Sequence, residues 1–210
     1  MSETPPIYFA SSNENKFLEI QKLLDAKEKI EMIYKNSEYS EQKKINFYFK
    51  KISIKEIQSE SIIEVAEDKV KKAFDIVKKP VIIEDDGLFI QELNGFPGVY
   101  SSFVFKTIGN KGILNLLRNN ENRRASFLSI ITFFDGKTIK SFNGETKGYI
   151  DTKIFSQGWG FDPIFIPEGE NKTYGQIDIV NKIRLSHRSK AFKKCLEWYT
   201  QKYNLDEPLK

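Results

Sequence analysis

The chain has 210 residues, which is long enough to bury a hydrophobic core and fits one folding unit. Charged residues make up 30% of it, yet the net charge is only +4, so composition argues against a protein dedicated to binding nucleic acid. The single cysteine excludes an intramolecular disulfide, and the single histidine argues against the common His-based zinc sites.

The sequence gives no sign of a membrane segment. No apolar stretch approaches the ~20 residues that span a bilayer, and the N-terminus lacks a basic segment followed by an apolar run. We therefore expect a soluble, cytoplasmic protein with no membrane partner. Cys195 has the apolar spacing of an amphipathic helix around it, so we interpret its thiol as buried and inert.

The first part of the sequence alternates predicted strands and helices. Residues 7–11 form an apolar run that favours a strand, and a polar turn leads from it into a helix. One face of that helix is apolar and carries Phe17, Ile20, Leu23 and Leu24. Residues 45–55 indicate extended structure, and residues 61–77 predict a helix that Pro80 ends. Its N-cap is a serine, either Ser59 or Ser61.

The second part contains a predicted hairpin. Residues 81–83 are β-branched and predict a buried strand that runs directly into three acids. Residues 126–142 predict a β-hairpin that turns at 135–137, and a further strand follows over 145–150. Irregular loops are predicted at 93–98 and 157–163, and a long helix runs from near Ser186 to about Tyr203. A hairpin amid alternating helices and strands predicts an α/β fold with a mixed sheet.

The turn after the first strand could hold a phosphate. Ser12, Asn13 and Lys16 lie at a predicted helix N-terminus, where free backbone amides, short polar side chains and one lysine favour an anion. The alternative is an ordinary capped helix with a surface lysine.

Three adjacent carboxylates follow the buried strand. Glu84, Asp85 and Asp86 would repel one another unless a cation or a polar network compensates their charge. Hard oxygen ligands suit Mg²⁺, and a carboxylate not bound to the metal could accept a proton from an attacking water. The alternative is a solvated acidic turn.

Basic side chains cluster around the start of the last helix. Lys182 and Arg188 can meet a phosphate or a purine oxygen, and Arg188 can do so with two parallel hydrogen bonds. Upstream, the loop 159–162 offers aromatic rings that could stack on a base and a carboxylate that could accept from a base N–H. A lone basic cluster is usually a solvated face, but the acids and the aromatic loop favour a nucleotide site.

Four segments, in this order, resemble the inosine triphosphate pyrophosphatases, the Ham1-like enzymes that remove aberrant nucleotides. The segments are residues 12–16, residues 83–88, residues 93–101, and residues 160–165 followed by Lys182 and residues 186–188. The resemblance covers nearly the full length. It implies an elongated two-lobed α/β domain over residues 1–205, with a tail at 206–210, a central twisted mixed β-sheet flanked by helices, and an active-site cleft between the lobes.

The resemblance also implies roles for individual residues. Asp85 matches the aspartate that activates water, and Lys16 offsets charge on the phosphates. The triphosphate is held by Ser12, Asn13 and Lys16. The metal is Mg²⁺, with Mn²⁺ as the alternative, and its candidate ligands are Glu56, Glu84 and Asp85. The purine is bound by Phe161, Asp162, Lys182, Ser186, His187 and Arg188. A homodimer is implied as well, with the loop 95–98 near its contact.

Three places depart from the family pattern. Asp86 stands where Ser or Thr is usual, and Gln176 stands where an acid is common. Residues 31–51 match nothing in the pattern, and we expect them to form a surface excursion.

The expected activity is hydrolysis of ITP, dITP and XTP to the monophosphate and pyrophosphate, with no nucleic-acid partner. Two rivals stay open at this point. One is a phosphatase that releases inorganic phosphate stepwise, and the other is a non-catalytic nucleotide- or RNA-binding module. The second rival gives no reason for gathering three acids at one place.

Overall fold

The computed structural model describes residues 5–34, 46–155 and 158–203. The strands are β1 (Ile7–Ser11), β2 (Phe47–Lys51), β3 (Val81–Ile90), β4 (Pro97–Gly98), β5 (Arg124–Phe134), β6 (Ile139–Ile150) and β7 (Phe165–Pro167). The helices are α1 (Glu14–Tyr34), α2 (Ile62–Val77), α3 (Ser101–Thr107), α4 (Gly109–Leu116), α5 (Ile179–Leu185) and α6 (His187–Lys202). A short 3₁₀ turn covers Gln91–Leu93. None of the described helices is long and apolar enough to cross a bilayer.

One open, mixed sheet organises the molecule, as the sequence predicts. Its strand order is β2-β1-β3-β5-β6-β7, and β4 pairs with β3 beside this path. β1 is parallel to both β2 and β3, whereas β3, β5, β6 and β7 pair antiparallel in turn. The parallel part carries the crossover helices α1 and α2, and the antiparallel part contains the predicted hairpin β5–β6, so the two connection types explain the mixed sheet.

The alternation of side chains along β3 distributes the helices over both faces of the sheet. Ile82 belongs to a hydrophobic cluster that includes Ile20 of α1 and Phe192 of α6, whereas its neighbours Val81 and Ile83 belong to a second cluster with α2. Successive strand residues point to opposite faces, so both faces of this strand are covered. A third cluster joins the far halves of β3 and β5 to α3, α4 and the segment 161–174.

β3 is longer than the sequence predicts, and this corrects the position of the three acids. The apolar run 81–83 is only its first part, because β3 continues to Ile90 and pairs with β5 along its whole length. Its parallel neighbour β1 pairs only with its first part, at Val81 and Ile82. The acids therefore lie in the middle of β3, just past the residues that pair with β1, instead of at a strand tip.

The region after the hairpin turn also differs from prediction. β6 is one continuous strand of 12 residues, where the sequence suggests two pieces. The last helix agrees closely: α6 begins at His187, and the Ser186 hydroxyl caps it by accepting from the Ser189 amide. The short helices α3, α4 and α5 have no counterpart in the predicted elements.

The expectation for the segment 31–51 can be compared with the structure only in part. Residues 35–45 lie outside the described residues, whereas Phe47–Lys51 forms β2 and pairs in register with β1. The expectation of a surface excursion is wrong for this strand, because its aromatic residues Phe47 and Phe49 pack against the cluster beneath β1.

Gly144 in β6 allows α6 to begin directly against the sheet. A Cβ at this position would lie 2.1 Å from the His187 carbonyl oxygen and 2.5 Å from the Ala191 amide nitrogen. Both are backbone atoms, which cannot rotate away as the tip of a flexible side chain would. Only glycine therefore fits at this contact between β6 and the first turn of α6.

Candidate functional site

A cleft of about 420 Å³ opens where β1 ends beside the middle of β3. It brings together most of the predicted site residues from five separate segments: Ser12, Asn13, Lys16, Glu56, Glu84, Asp85, Phe161, Asp162, His187 and Arg188. Lys182 and Ser186 are not among its lining residues. Lys182 instead supports the cleft from behind through ion pairs, and the Ser186 hydroxyl is occupied in capping α6.

The turn between β1 and α1 has the local structure of an anion-binding helix start. The Ser11 hydroxyl accepts from the Asn13 amide at 3.1 Å, and the Asn13 side chain accepts from the Asn15 amide at 3.0 Å. Ser12 is exposed. Lys16 lies in the first turn of α1, so its ammonium group and the helix N-terminus add their positive potential on the same side of the cleft.

Lys16 points at the acids of β3. Its Nζ lies 2.8 Å from Glu84 Oε2 and 2.8 Å from Asp86 Oδ1. Burial by itself would lower the pKa of Lys16, but the two carboxylates raise it above its ordinary value. The lysine is therefore charged at any physiological pH and is already paired with both carboxylates.

A second lysine, which the sequence analysis missed, holds the predicted base. Lys69 Nζ lies 2.5 Å from Asp85 Oδ1 and 2.6 Å from Glu56 Oε1. Burial raises the pKa of Asp85 even though Lys69 opposes the shift. A signal was present, because Lys69 follows Val65 by four positions and Ala66 by three, and so falls on the buried face of α2. A lysine on an apolar helix face needs a buried partner.

Glu84 is buried inside the sheet yet faces the cleft. Its Oε1 accepts from the Ser129 hydroxyl at 2.6 Å and lies 3.3 Å from Arg188 Nε. We call the group Lys16, Glu56, Lys69, Glu84 and Asp85 the acid–lysine cluster. Among the residues that the structure describes, Asp85 Oδ2 is buried without a hydrogen-bond partner. An unpaired carboxylate oxygen in a polar cleft is the observation expected of a site that takes a hard cation.

At the other end of the cleft, Glu19 of α1 has a mostly buried side chain that pairs with the basic residues. Glu19 accepts from Lys182 Nζ at 2.6 Å, from Trp159 Nε1 at 3.1 Å and from Arg188 Nη1. Lys182 also lies 2.6 Å from Asp162 Oδ2. We call these five residues the Glu19 cluster. Burial alone would raise the pKa of Glu19, but Arg188 and Lys182 lower it to about 2.

Sequence reasoning missed Glu19 and gave no role to Trp159 individually. The Trp159 ring lies 5.2 Å from the Arg188 guanidinium carbon and 5.5 Å from Lys182 Nζ, which are cation–π distances. Phe161 lines the same end of the cleft, with its ring 5.4 Å from that of Phe105. Together the two loop aromatics provide flat surfaces beside fixed cations, which suits a planar heterocycle.

His187 is held as a neutral ring. It stacks on Phe127 with ring centroids 4.6 Å apart and an interplanar angle of 9°. Burial lowers its pKa, although the nearby Asp86 carboxylate, 3.7 Å away, opposes that shift. Neither ring nitrogen has a hydrogen-bond partner among the described residues. Its ring also comes within 4.8 Å of oxygens of Glu84 and Asp86, the one group in the described part of the protein with the spacing of metal ligands.

The sequence and the fold both have known relatives. The sequence model of the Ham1 family matches residues 7–198. The chain is 41% identical over 190 residues to a dITP/XTP pyrophosphatase of Korarchaeum cryptofilum, covering 90% of this chain and 94% of the relative. It is 43% identical over 197 residues to the dITP/XTP pyrophosphatase of Saccharolobus solfataricus, covering 91% and 94%. A HAM1 protein from Coxiella burnetii matches in structure with a TM-score of 0.76 at 25% identity, covering 94% and 99%.

Proposed function

The chain belongs to the Ham1 family, and from this membership we infer that it is a nucleoside triphosphate pyrophosphatase acting on non-standard purines. It hydrolyses dITP, XTP and ITP to the monophosphate and pyrophosphate. The observation that carries the proposal is that one cleft has a carboxylate–lysine network at one end and cations with aromatic rings at the other. Such a cleft has chemistry for a phosphoanhydride and a surface for a base.

Water attack on the α-phosphorus is the step that the acid–lysine cluster supports. Asp85 orients the water and accepts its proton as the new P–O bond forms, and pyrophosphate leaves as one unit. Its raised pKa suits a base that must take up a proton and later release it. Lys16, with Ser12 and Asn13 at the helix start, neutralises charge on the phosphate oxygens.

A divalent ion fits the same end. We propose that Glu56, Glu84 and Asp85 would hold Mg²⁺, or Mn²⁺ in its place; of these, Glu84 alone belongs to the described group with metal-ligand spacing, and Asp85 Oδ2 is an oxygen without a hydrogen-bond partner. When bound, the ion neutralises phosphate charge and polarises the scissile anhydride. Lys69 bridges Glu56 and Asp85, so we propose that its charge offsets their mutual repulsion and keeps both carboxylates oriented for a cation.

Base selection belongs to the Glu19 cluster and the start of α6. A 6-oxo purine accepts a hydrogen bond where adenine donates one, so donors such as Arg188 favour inosine and xanthine over adenine. Phe161 and Trp159 offer faces for stacking, and Asp162 offers an acceptor for a base N–H. Lys182 acts from behind by fixing Asp162 and Glu19, and Ser186 acts by fixing the first turn of α6.

The decisive experiment identifies the released product. Purified protein is incubated with ITP, XTP, dITP, GTP and ATP in the presence of Mg²⁺, and inorganic phosphate is measured with and without added inorganic pyrophosphatase. The proposal expects phosphate from the non-standard purines only when pyrophosphatase is present. Phosphate release without it would identify a stepwise phosphatase instead, and binding without turnover would identify a non-catalytic nucleotide module.

We also propose that the protein acts as a homodimer in the cytoplasm and that residues 1–205 form one domain. The expected tail at 206–210 lies outside the described residues. Support for a partner surface comes from the apolar side chains exposed around β4, α3 and α4: Phe96, Tyr100, Phe103, Phe105 and Ile108. An exposed apolar patch of this kind is typical of a protein–protein contact. Sedimentation of the wild type against Phe103→Ser tests the dimer, because Phe103 is 68% exposed and its loss costs the monomer little.

A further inference from the structure

Asp86, like Glu84, pairs with Lys16 at one end of the cleft and with Arg188 at the other. Its Oδ1 lies 2.8 Å from Lys16 Nζ, and its Oδ2 lies 2.5 Å from Arg188 Nη2. Through these two ion pairs, the Asp86 carboxylate already occupies the cations assigned above to the phosphates and the base.

Both cations would stay in place without Asp86. Lys16 keeps its contact to Glu84 at 2.8 Å, and Arg188 keeps Glu84 at 3.3 Å and its pairing with Glu19. Removing Asp86 would thus leave no unpaired cation, which is the usual reason that breaking a buried ion pair is costly. The function of Asp86 is not explained by the need to hold these side chains.

The charge balance of the cleft shows what Asp86 adds. The lining side chains include five carboxylates and four cations, so the lining carries one net negative charge with His187 neutral. The acids are Glu56, Glu84, Asp85, Asp86 and Asp162, and the cations are Lys16, Lys69, Lys106 and Arg188. A triphosphate is strongly anionic, so each fixed negative charge within a few ångströms of it weakens its binding.

We propose that Asp86 sets a weak affinity for polyanions by competing with the nucleotide and with pyrophosphate for Lys16 and Arg188. This inference rests on the proposed function for the identity of the ligands. An anion that approaches Lys16 must displace the Asp86 carboxylate or lie beside it, and both cost binding free energy. Pyrophosphate, the product that keeps most of the charge, then leaves the cleft more readily.

The test removes the charge and keeps the shape. In Asp86→Asn and Asp86→Ser, the dissociation constant of sodium pyrophosphate is measured by titration calorimetry in EDTA, together with KM and kcat for ITP with Mg²⁺. In both variants we expect pyrophosphate to bind about tenfold more tightly. KM for ITP should also fall, and by a larger factor than any change in kcat. Asp86→Glu keeps the charge and should not bind pyrophosphate more tightly than the wild type does. Glu145→Gln, which removes an exposed acid outside the cleft, should stay close to the wild type.

Two results would overturn the competition. Unchanged or weaker pyrophosphate binding in a folded Asp86→Asn variant would mean that Asp86 positions Lys16 and Arg188 and does not compete for their ligands. Tighter binding in Asp86→Glu as well would mean that shape and not charge is responsible. The calorimetry does not depend on turnover, so a wild type that fails to release pyrophosphate from ITP refutes the proposed function and leaves this inference standing on its own measurement.

Discussion

The two ends of the cleft use the same ingredients but differ in how fully they are paired. In the Glu19 cluster, the carboxylate of Glu19 receives donors from Lys182, Trp159 and Arg188. In the acid–lysine cluster, the described residues leave Asp85 Oδ2 buried and without a donor, while Lys69 serves Asp85 and Glu56 at once. The Glu19 carboxylate is thus satisfied by protein donors, whereas the Asp85 carboxylate is not.

This difference separates two tasks. A surface that recognises a base must keep its donors in fixed positions before the ligand arrives, and a carboxylate that accepts from three of these side chains does so. A site that assembles a metal, a water and a phosphate needs oxygen atoms that are still available. We call the Glu19 cluster the rigid end of the cleft and the acid–lysine cluster its receptive end. Substitutions at the two ends should therefore change different properties of the protein.

The largest effect should come from Asp85→Asn. The substitution keeps the shape but removes the proton acceptor, and general-base catalysis typically contributes about 10²–10⁴-fold to rate, so we expect kcat for ITP to fall by about 10³-fold. Affinity for ITP in a calorimetric titration should change little, because Lys16 and Arg188 remain. Undiminished turnover would remove Asp85 from the mechanism. Glu145→Gln, an exposed acid on β6, is the matched control.

The next effect concerns the stability of the rigid end. The pKa of Glu19 is lowered from 4.5 to about 2, so the ionised group stabilises the fold above about pH 4.5, and this contribution is lost as the pH falls from there towards 2. The shift corresponds to about 3 kcal/mol at neutral pH. Urea unfolding should show Glu19→Gln less stable than the wild type by about that amount at pH 7, with the gap narrowing between pH 5 and 3. A gap that is constant over this range would contradict the assignment.

The same variant should also weaken base discrimination. Glu19 fixes both Lys182 and Arg188, so its loss lets the Arg188 guanidinium turn away from the position that favours a 6-oxo group. We expect the ratio of kcat/KM for ITP over ATP to fall by about tenfold to a hundredfold, which corresponds to the loss of one well-placed hydrogen bond to a charged group. The ratio is the measurement, because a general loss of activity would leave it unchanged.

The smallest effect concerns metal binding at the receptive end, which can be measured in the absence of turnover. Mg²⁺ in excess should raise the melting temperature of the wild type by a few degrees, because an ion that binds only the folded state stabilises it by mass action. Glu84→Gln should lose that rise. Asp162→Asn should keep it, because Asp162 pairs with Lys182 in the Glu19 cluster. A rise that survives Glu84→Gln would place the ion elsewhere.

The two ends also differ in how well their residues can be predicted from the sequence. Glu84, Asp85 and Asp86 are adjacent on an apolar strand, so charge repulsion alone points to a site there. Glu19 and Lys69 are single charged residues on helices full of lysine and glutamate, and only their burial distinguishes them. The mixed sheet and the start of α6 were predictable from local patterns. The full length of β3 was not, because it depends on pairing with β5, about forty residues away.

The contact at Gly144 has a consequence for how variants of this protein would be interpreted. This residue touches no ligand and lies within a strand, so a change there would ordinarily be classed as damage to the scaffold. Any larger residue must push the first turn of α6 off β6, and that turn carries His187 and Arg188. In a kinetic screen, the Gly144→Ala variant would therefore show a defect of substrate recognition, although the added methyl group lies beneath α6 and contacts no ligand.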